Sequence, residues 1–362
     1  MNRRAALAVP FAPLPALAQP TPPPLRQQAR SAGRAFGAAI RSELLAQDAA
    51  YARLFAAEAE ILVPEWEGKW EALQPSEGQF DLAPLRAVTA FAQAHQQRVR
   101  GHALVWHNAM PDWLNRRLAD GAAAARAALE THFTSILPAT RQVIRDWDVV
   151  NEPIANAPGA DNPQAGPNPL RESPWFRALG PDYIELAFRL ARSLDPTLRL
   201  TLNEYGIEEA TPDADIKRNR LLALLRRLLD RGAPLDALGI QAHLQLRRPF
   251  DAQVFGRFLA EIRGMGLAIL ITELDVREAD QLPPDIAARD NAVAQRVREF
   301  CTTATQAGCR TIITWGLTDR HSWLTQDPDV ARRDNIPTRG LPFDAAWQRK
   351  PMWHALAGVL SG

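Results

Sequence analysis

Short apolar runs alternate with longer amphipathic segments from about Gly33 to the end of the chain. Four of the amphipathic segments carry apolar residues at three- and four-residue intervals, which predicts helices at 85–95, 183–193, 217–231 and 287–305. The apolar runs predict eight strands, at 35–40, 59–65, 99–106, 144–151, 198–203, 238–244, 267–273 and 310–315. Strands that are apolar throughout, rather than alternating, indicate a parallel sheet with helices on its faces.

Eight strand and helix units predict an α/β fold, a (β/α)8 TIM barrel that forms a single domain. A doubly wound open sheet is the structural alternative. Such sheets often have a glycine-rich turn after the first strand, and this sequence has none there. The length of 362 residues and the hydrophobic content of 46% suit one large barrel.

The first eighteen residues have the features of a signal peptide. Arg3 and Arg4 precede an apolar stretch, and Ala16-Leu17-Ala18 forms a small-x-small cleavage site before Gln19. We therefore expect a secreted or periplasmic protein, exported by the Sec or the twin-arginine route. Prolines interrupt the apolar stretch, which argues against a membrane anchor in the mature form. The predicted organisation is a signal peptide at 1–18, a proline-rich tether and lead-in at 19–30, and the barrel at 31–360.

Charge and composition exclude some classes of function. The 42 Lys+Arg residues nearly balance the 41 Asp+Glu residues, leaving +1, so we expect no nucleic-acid partner. The seven His form no HExxH motif and no cluster with Cys, so we expect neither a metal nor another cofactor. His102 and His107 lie five apart on one predicted strand and should face opposite sides. Ten Trp against three Tyr favour sugar binding, because indole faces stack on sugar rings.

Two carboxylates follow apolar runs that end at the same face of the predicted barrel, Glu152 in WDVVNEP and Glu273 in ITELDV. A carboxylate at the mouth of an apolar strand is costly to desolvate, which marks it as a candidate functional group. Two facing carboxylates are the chemistry of glycoside hydrolysis. Other polar or aromatic residues follow further strands and predict a shared active site there: Glu65, Trp66, His102, Trp106, His107, Asn151, Asn203, Glu204, Tyr205, Gln241, His243, Asp275 and Trp315.

These motifs closely resemble those of the glycoside hydrolase family 10 endo-β-1,4-xylanases. The resemblance spans nearly the whole chain after the tether: RVRGHALVWH at 98–107, WDVVNEP at 147–153, GIQAHL at 239–244, ITELDV at 271–276 and WGLTDRHSWL at 315–324. It implies a retaining endo-β-1,4-xylanase that cleaves internal bonds of xylan through a covalent glycosyl-enzyme. Xylan or xylo-oligosaccharides would be its substrates and partners, and we expect a monomer. The alternatives are β-1,4-glucanase or cellobiohydrolase activity within the family, and a non-catalytic sugar-binding barrel, which the presence of both glutamates disfavours.

The resemblance also implies roles for the central residues. Glu152 matches the acid/base and Glu273 the nucleophile, with Asn151 hydrogen-bonded to the 2-hydroxyl of the reacting sugar. His243 and Asp275 match the pair that orients the nucleophile. Hydrolysis with retention of the anomeric configuration requires the two carboxyl groups to lie about 5 to 5.5 Å apart. At that distance, the charge of Glu273 should raise the pKa of Glu152 and keep it protonated.

Further matches imply the sugar-binding surface. Trp315 and Trp323 would wall the cleft and exclude a hexose C6 group, and Tyr205 would stack on the leaving-group side. Two positions depart from the family, because Trp66 replaces a usual asparagine and Ala109 replaces a frequent glutamine. Both changes remove hydrogen bonds to the second sugar. The glycone side would be lined by Glu65, Lys69, His102, Trp106 and Gln241.

The chain has two cysteines, Cys301 and Cys309, at the end of a predicted helix and the start of the last predicted strand. Export to an oxidising compartment predicts a disulfide between them. A pair of buried free thiols is the alternative.

Overall fold

The computed structural model describes residues 22–157, 167–279 and 285–362. Eight parallel strands close a barrel in the order β1-β2-β3-β4-β5-β6-β8-β9, because β6 pairs with β8 and β9 pairs with β1. A ninth strand of three residues, β7, pairs with the end of β8. The predicted (β/α)8 barrel is confirmed. The bounds are β1 Ala35–Ile40, β2 Ile61–Pro64, β3 Arg98–Gly101, β4 Ile144–Asn151, β5 Arg199–Glu204, β6 Ala237–Ile240, β7 His243–Gln245, β8 Ala268–Arg277 and β9 Thr311–Thr314.

Helices surround the barrel, and the four predicted ones correspond to α5, α9, α10 and α12. Helix α10 begins earlier than its apolar pattern indicates, because Pro212 starts it and Asp213 and Asp215 lie in its first turn. The bounds are α1 Leu25–Ser31, α2 Ser42–Gln47, α3 Ala49–Glu58, α4 Trp70–Leu73, α5 Ala83–Ala94, α6 Asp112–Ala119, α7 Ala122–Thr140, α8 Pro174–Leu179, α9 Tyr183–Leu194, α10 Pro212–Asp230, α11 Ala252–Gly264, α12 Ile286–Gln306, α13 Trp323–Gln326 and α14 Pro351–Ser361, with a 3-10 helix at Asp319–His321.

The N-terminal boundary of the packed domain lies earlier than predicted. Helix α1 begins at Leu25, within the predicted lead-in, and buries Leu25 and Ala29. The backbone N–H of Leu25 donates a hydrogen bond to Oε2 of Glu58 at 2.7 Å. The predicted signal peptide and the first part of the tether lie outside the described residues. Within the described ranges, no helix is both long and apolar enough to cross a membrane.

The predicted disulfide is wrong in this structure. Cys301 on α12 and Cys309 before β9 are both buried free thiols within the hydrophobic core. The Cys309 thiol donates to the backbone carbonyl of Thr311 at 3.2 Å. Burial raises the pKa of Cys309 to about 11, so this thiol stays protonated. Sequence spacing does not determine the directions of the two side chains, on which a disulfide depends.

Strand β3 ends at Gly101, five residues before the predicted end, and beyond it Val105 forms only an isolated bridge with Val150. Strict alternation therefore does not apply to His102 and His107, and the prediction that they face opposite sides is wrong. Nδ1 of His102 lies 3.9 Å from Oε1 of Glu273, and Nε2 of His107 lies 3.7 Å from Oε2 of Glu152, so both rings approach carboxylates of the same cleft.

Gly101 leaves room for the ring of Trp147, which is fully buried in the large hydrophobic core that strands and helices share. A Cβ atom at Gly101 would lie 2.1 Å from the ring, whereas one at Gly358, on the exposed side of α14, would meet nothing within 4 Å. We predict that Gly101→Ala lowers the free energy of unfolding by about 1–3 kcal/mol through overpacking. Gly358→Ala is the control and should be stabilising by about 0.5–1 kcal/mol. Urea unfolding measures both, and an unchanged midpoint for Gly101→Ala would refute this packing.

Candidate active site

The C-terminal ends of the barrel strands open into one cleft with a volume of about 1140 Å³. All thirteen side chains predicted to act in catalysis or sugar binding line this cleft: Glu65, Lys69, His102, Trp106, Asn151, Glu152, Tyr205, Gln241, His243, Glu273, Asp275, Trp315 and Trp323. The cleft also contains residues that the sequence prediction did not include. The structure thus brings all the predicted residues together in one cleft.

Glu152 lies where β4 ends, in a left-handed backbone conformation with φ of 56°. Its backbone N–H donates to the carbonyl of Asn203 on β5 at 2.8 Å, which anchors this turn to the neighbouring strand. The amide of Gln241 donates to Oε1 of Glu152 at 3.1 Å. Nε2 of His107 lies 3.7 Å from Oε2. The carboxyl group is therefore fixed from two sides by groups on other loops.

The electrostatic surroundings of Glu152 differ from the sequence expectation. Burial raises the pKa of this carboxyl, but the nearby His107, the charge of Arg171 and hydrogen bonds from Trp106 and Gln241 together lower it more, so that it lies below its ordinary value. Burial also lowers the pKa of His107 to about 4, so this imidazole is neutral at neutral pH. At neutral pH, Arg171 therefore supplies the positive charge near the carboxyl group of Glu152. At neutral pH, Glu152 is therefore a carboxylate rather than the acid that we expected.

Glu273, on β8, is held by a short chain of amide hydrogen bonds. Nδ2 of Asn203 donates to Oε1 of Glu273 at 2.6 Å and to Oδ1 of Asn151 at 2.9 Å. The hydroxyl of Thr272 donates to Oδ1 of Asn203 at 2.7 Å, which fixes the orientation of that amide. Asn203 thus joins the nucleophile candidate to Asn151, beside Glu152. The sequence places Asn203 at a predicted strand end but carries no signal for this role.

His243 bridges the second oxygen of Glu273 to Asp275. Its Nε2 lies 3.2 Å from Oε2 of Glu273, and its Nδ1 lies 2.9 Å from Oδ1 of Asp275. Burial lowers the pKa of His243, but the two carboxylates raise it more, to well above its ordinary value. The ring is therefore an imidazolium that donates to both carboxylates. The other oxygen of Asp275 accepts from Nε1 of Trp323 at 2.6 Å, which ties the cleft wall to this pair.

His102 lines the floor of the cleft and contacts a buried ion pair. Its Nδ1 is 2.9 Å from Oδ2 of Asp148, and the guanidinium of Arg100 donates to both oxygens of that carboxylate. Burial raises the pKa of Asp148, but Arg100 and His102 lower it more, and the result is below its ordinary value. The ring of His102 meets Trp315 edge to face at 5.3 Å between centroids. This arrangement fixes the floor of the cleft under Trp315.

The two positions that depart from the family affect the cleft differently. The indole of Trp66 is 48% exposed, and the ammonium of Lys69 lies 5.5 Å from its ring centroid and 4.9 Å from that of Trp106. Ala109 does not line the cleft, and its carbonyl accepts from the N–H of Glu71 at 3.0 Å. The neighbouring side chain of Asn108 lines the cleft instead.

Among residues 22–157, 167–279 and 285–362, no group of three or more His, Cys, Asp or Glu side chains has a geometry suited to holding a metal ion. The chemistry that the described side chains offer is therefore that of two carboxylates, an imidazolium and amides.

The model of one protein family, "Glycosyl hydrolase family 10", matches residues 24–359. The chain belongs to this family. Endo-1,4-beta-xylanase 1 of Humicola insolens is 29% identical over 356 residues, which cover 95% of this chain and 76% of that protein. Exoglucanase XynX of Acetivibrio thermocellus is 29% identical over 333 residues, which cover 89% of this chain. The chain spans only 28% of the length of XynX, and 26% of the length of endo-1,4-beta-xylanase A of Thermoanaerobacterium saccharolyticum.

Solved structures of family 10 enzymes share the fold. Native xylanase 10B from Thermotoga maritima superposes with a TM-score of 0.82 at 29% identity, over 93% of this chain and 98% of that one. Xylanase 10B from Thermotoga petrophila RKU-1, in complex with xylobiose, has a TM-score of 0.80 at 28% identity, over 95% and 98% of the two chains. Together with the family match, these relatives support a glycoside hydrolase of the endo-1,4-β-xylanase type.

We predict that Asp275→Asn lowers the pKa of His243, because it removes the carboxylate that most favours the imidazolium. In the native enzyme, a raised pKa means that this charge stabilises the fold fully below about pH 6.5, and the contribution is lost as pH rises through the folded pKa. NMR titration of the histidine rings measures the shift.

Asp48→Asn is the matched control, because Oδ2 of Asp48 lies 3.7 Å from Nε2 of His321, and this pair is separate from the His243 cluster. It should leave His243 unchanged. An unaltered His243 titration in Asp275→Asn would contradict the assignment of the bridge.

Proposed function

We propose that this protein is a secreted, retaining endo-1,4-β-xylanase that hydrolyses internal bonds of xylan by double displacement. The observation that carries the proposal is the pair Glu152 and Glu273 in one cleft, connected through the amides of Asn151 and Asn203. Each glutamate also lies in the sequence motif that it shares with the family.

In the first step, a carboxylate oxygen of Glu273 attacks C1 of the sugar while Glu152 donates its proton to the departing glycosidic oxygen. The C1–O bond to the leaving sugar breaks and a C1–O bond to Glu273 forms. In the second step, Glu152 takes a proton from water, whose oxygen attacks C1 and releases Glu273. The imidazolium of His243 and the amide of Asn203 each hold one oxygen of Glu273, which orients the attack.

The first step requires a protonated Glu152, although the pKa of this carboxyl is lowered by its protein surroundings. A bound polysaccharide removes water from the carboxyl group, and desolvation favours the neutral form. We therefore propose that substrate binding raises the pKa of Glu152 and supplies the protonated acid that the first step requires. The charge of Arg171 opposes this rise, and it favours the carboxylate needed in the second step.

Xylan is the proposed polymer because two indoles wall the cleft. Trp315 and Trp323 lie edge to face against His243, at 6.2 and 5.0 Å between centroids, and so border the reacting sugar. The related xylanase with bound xylobiose supports this choice. The related exoglucanase favours β-1,4-glucanase activity as the second candidate. A non-catalytic sugar-binding barrel is disfavoured because both carboxylates and the groups that orient them are present.

We predict that Glu152→Ala and Glu273→Ala lose activity in different ways. Without its acid, the enzyme should still form the glycosyl intermediate from a dinitrophenyl xylobioside, whose leaving group needs no proton, and added azide should restore turnover. Glu273→Ala should form no such intermediate. Single-turnover kinetics with and without azide measure this difference. Equal losses in both variants, with no azide rescue of Glu152→Ala, would mean that the roles are misassigned.

We predict that Trp66 and Ala109 relax the choice between xylose and glucose, because they cannot make the hydrogen bonds of the asparagine and glutamine that they replace. The double variant Trp66→Asn with Ala109→Gln should raise the ratio of kcat/KM for aryl xylobioside over aryl cellobioside. The native enzyme is the reference. A ratio that stays the same, or shifts toward the cellobioside, would show that these positions do not determine specificity.

Export and a monomeric state remain parts of the proposal. The basic start, the apolar stretch and the small-x-small site at Ala16 to Ala18 support removal of residues 1–18 by signal peptidase. We predict that the protein collected from the periplasm or medium begins at Gln19, as N-terminal sequencing would show. A secreted or periplasmic form that retains Met1, or a purely cytoplasmic product, would contradict this prediction.

A further inference from the structure

Lysine is rare in this chain, and each lysine lies in a confined position. Of the 42 Lys+Arg residues, three are lysines: Lys69, Lys217 and Lys350. Lys69 belongs to the cleft, while Lys217 and Lys350 are 2% and 3% exposed. A buried ammonium costs several kcal/mol to desolvate unless its partners are close and well arranged. The partners of Lys217 therefore indicate what this position does.

The ammonium of Lys217, on α10, has three close partners. Its Nζ lies 3.0 Å from Oε1 of Glu204 and donates to Oδ1 of Asn156 at 2.9 Å. It also lies 3.5 Å from the ring centroid of Tyr205, a cation–π contact. The ammonium covers one face of the Tyr205 ring, so only the opposite face is available to a sugar. Because the three partners surround one compact nitrogen, the larger planar guanidinium of arginine would not reproduce these contacts.

The partners of Lys217 also hold the segment that follows Glu152. Oε2 of Glu204 accepts from the backbone N–H of Ile154 at 3.0 Å, and Oε1 accepts from that of Tyr205 at 3.0 Å. Nδ2 of Asn156 donates to the hydroxyl of Tyr205 at 2.9 Å. One buried ion pair therefore fixes both the aromatic ring and the chain two residues beyond the acid/base.

Arg171 completes the connection between the ring and the acid/base. Its Nε donates to the backbone carbonyl of Glu152 at 3.0 Å, and its Nη2 donates to the hydroxyl of Tyr205 at 3.1 Å. Because Arg171 binds both groups, a displacement of the Tyr205 ring would also move the backbone of Glu152.

We propose that Lys217 is a positioning residue that couples the binding of the leaving-group sugar on Tyr205 to the orientation of Glu152. The inference rests on the proposed function. Lys217 does not line the cleft, so its effect on the reaction is indirect. It acts through Tyr205 and through Glu204, so its effect should be confined to substrates that use the leaving-group side and need a proton from Glu152.

The test compares two substrates in Lys217→Met, which keeps the length of the side chain and removes the charge. Xylotetraose has a sugar leaving group that must be protonated, whereas dinitrophenyl xylobioside has no sugar on that side and needs no proton. We expect kcat/KM for xylotetraose to fall about 30-fold, the size of losing one hydrogen bond to a charged group, and that for the aryl xylobioside to fall less than about threefold.

Lys350→Met is the matched control. Nζ of Lys350 lies 2.7 Å from Oδ2 of Asp319 and donates to the carbonyl of Arg339 at 2.6 Å, so this variant also breaks a buried ion pair. It should lower stability without changing the ratio of the two kcat/KM values. If Lys217→Met does not fold, Lys217→Arg provides the same comparison, because its guanidinium keeps the charge but not the three contacts.

The double variant Lys217→Met with Tyr205→Leu tests the route of the effect. If Lys217 acts through Tyr205, the losses on xylotetraose will be clearly less than additive. Equal losses on both substrates, or an unchanged ratio as in Lys350→Met, would overturn the proposal, and so would additive losses. A native enzyme that hydrolyses neither substrate would instead refute the proposed function, which keeps the two failures distinct.

Discussion

The hydrogen bonds that hold the Glu273 carboxylate are the constraint on which the rest of the site depends. This group is almost fully buried, yet it must stay ionised to attack carbon. The amide of Asn203 and the imidazolium of His243 each donate to one of its oxygens. His243 remains charged because Asp275 lies on its far side, so the carboxylate of Glu273 faces a positive group rather than being a lone buried charge.

The barrel supplies this arrangement because its strands end at different points around one opening. Asn203 lies near the end of β5, His243 begins β7, and Glu273 and Asp275 lie two residues apart on β8. Close approach of the strands is needed too. A Cβ atom at Gly239 would lie 2.3 Å from Oδ1 of Asn203, so a side chain there would displace the amide that holds Glu273. Small residues in the strands are thus part of the catalytic geometry.

The sequence was sufficient to predict the barrel and eleven of the thirteen cleft residues from apolar runs and strand ends, because these are local features. Lys69 and Trp323 were predicted only from the resemblance to the family. It was insufficient where the outcome depends on contacts between distant segments. Strand β3 ends at Gly101, and this brings His107 to Glu152, which alternation had excluded. The pKa of Glu152 is lowered because His107 and Arg171, which lie in other loops, are close to its carboxyl group. The cysteines remain thiols because the Cys309 side chain is directed to Thr311.

The central claim is that Glu273 is the nucleophile of a retaining mechanism and forms a covalent bond to C1 of the sugar. A 2-deoxy-2-fluoro xylobioside with a good leaving group tests it most directly, because the fluorine slows the second step and the intermediate accumulates. Mass spectrometry of the inactivated protein should find one added fluoroxylobiosyl group, and peptide fragmentation should assign it to Glu273. Attachment to another residue, or complete turnover without any labelled protein, would contradict the account.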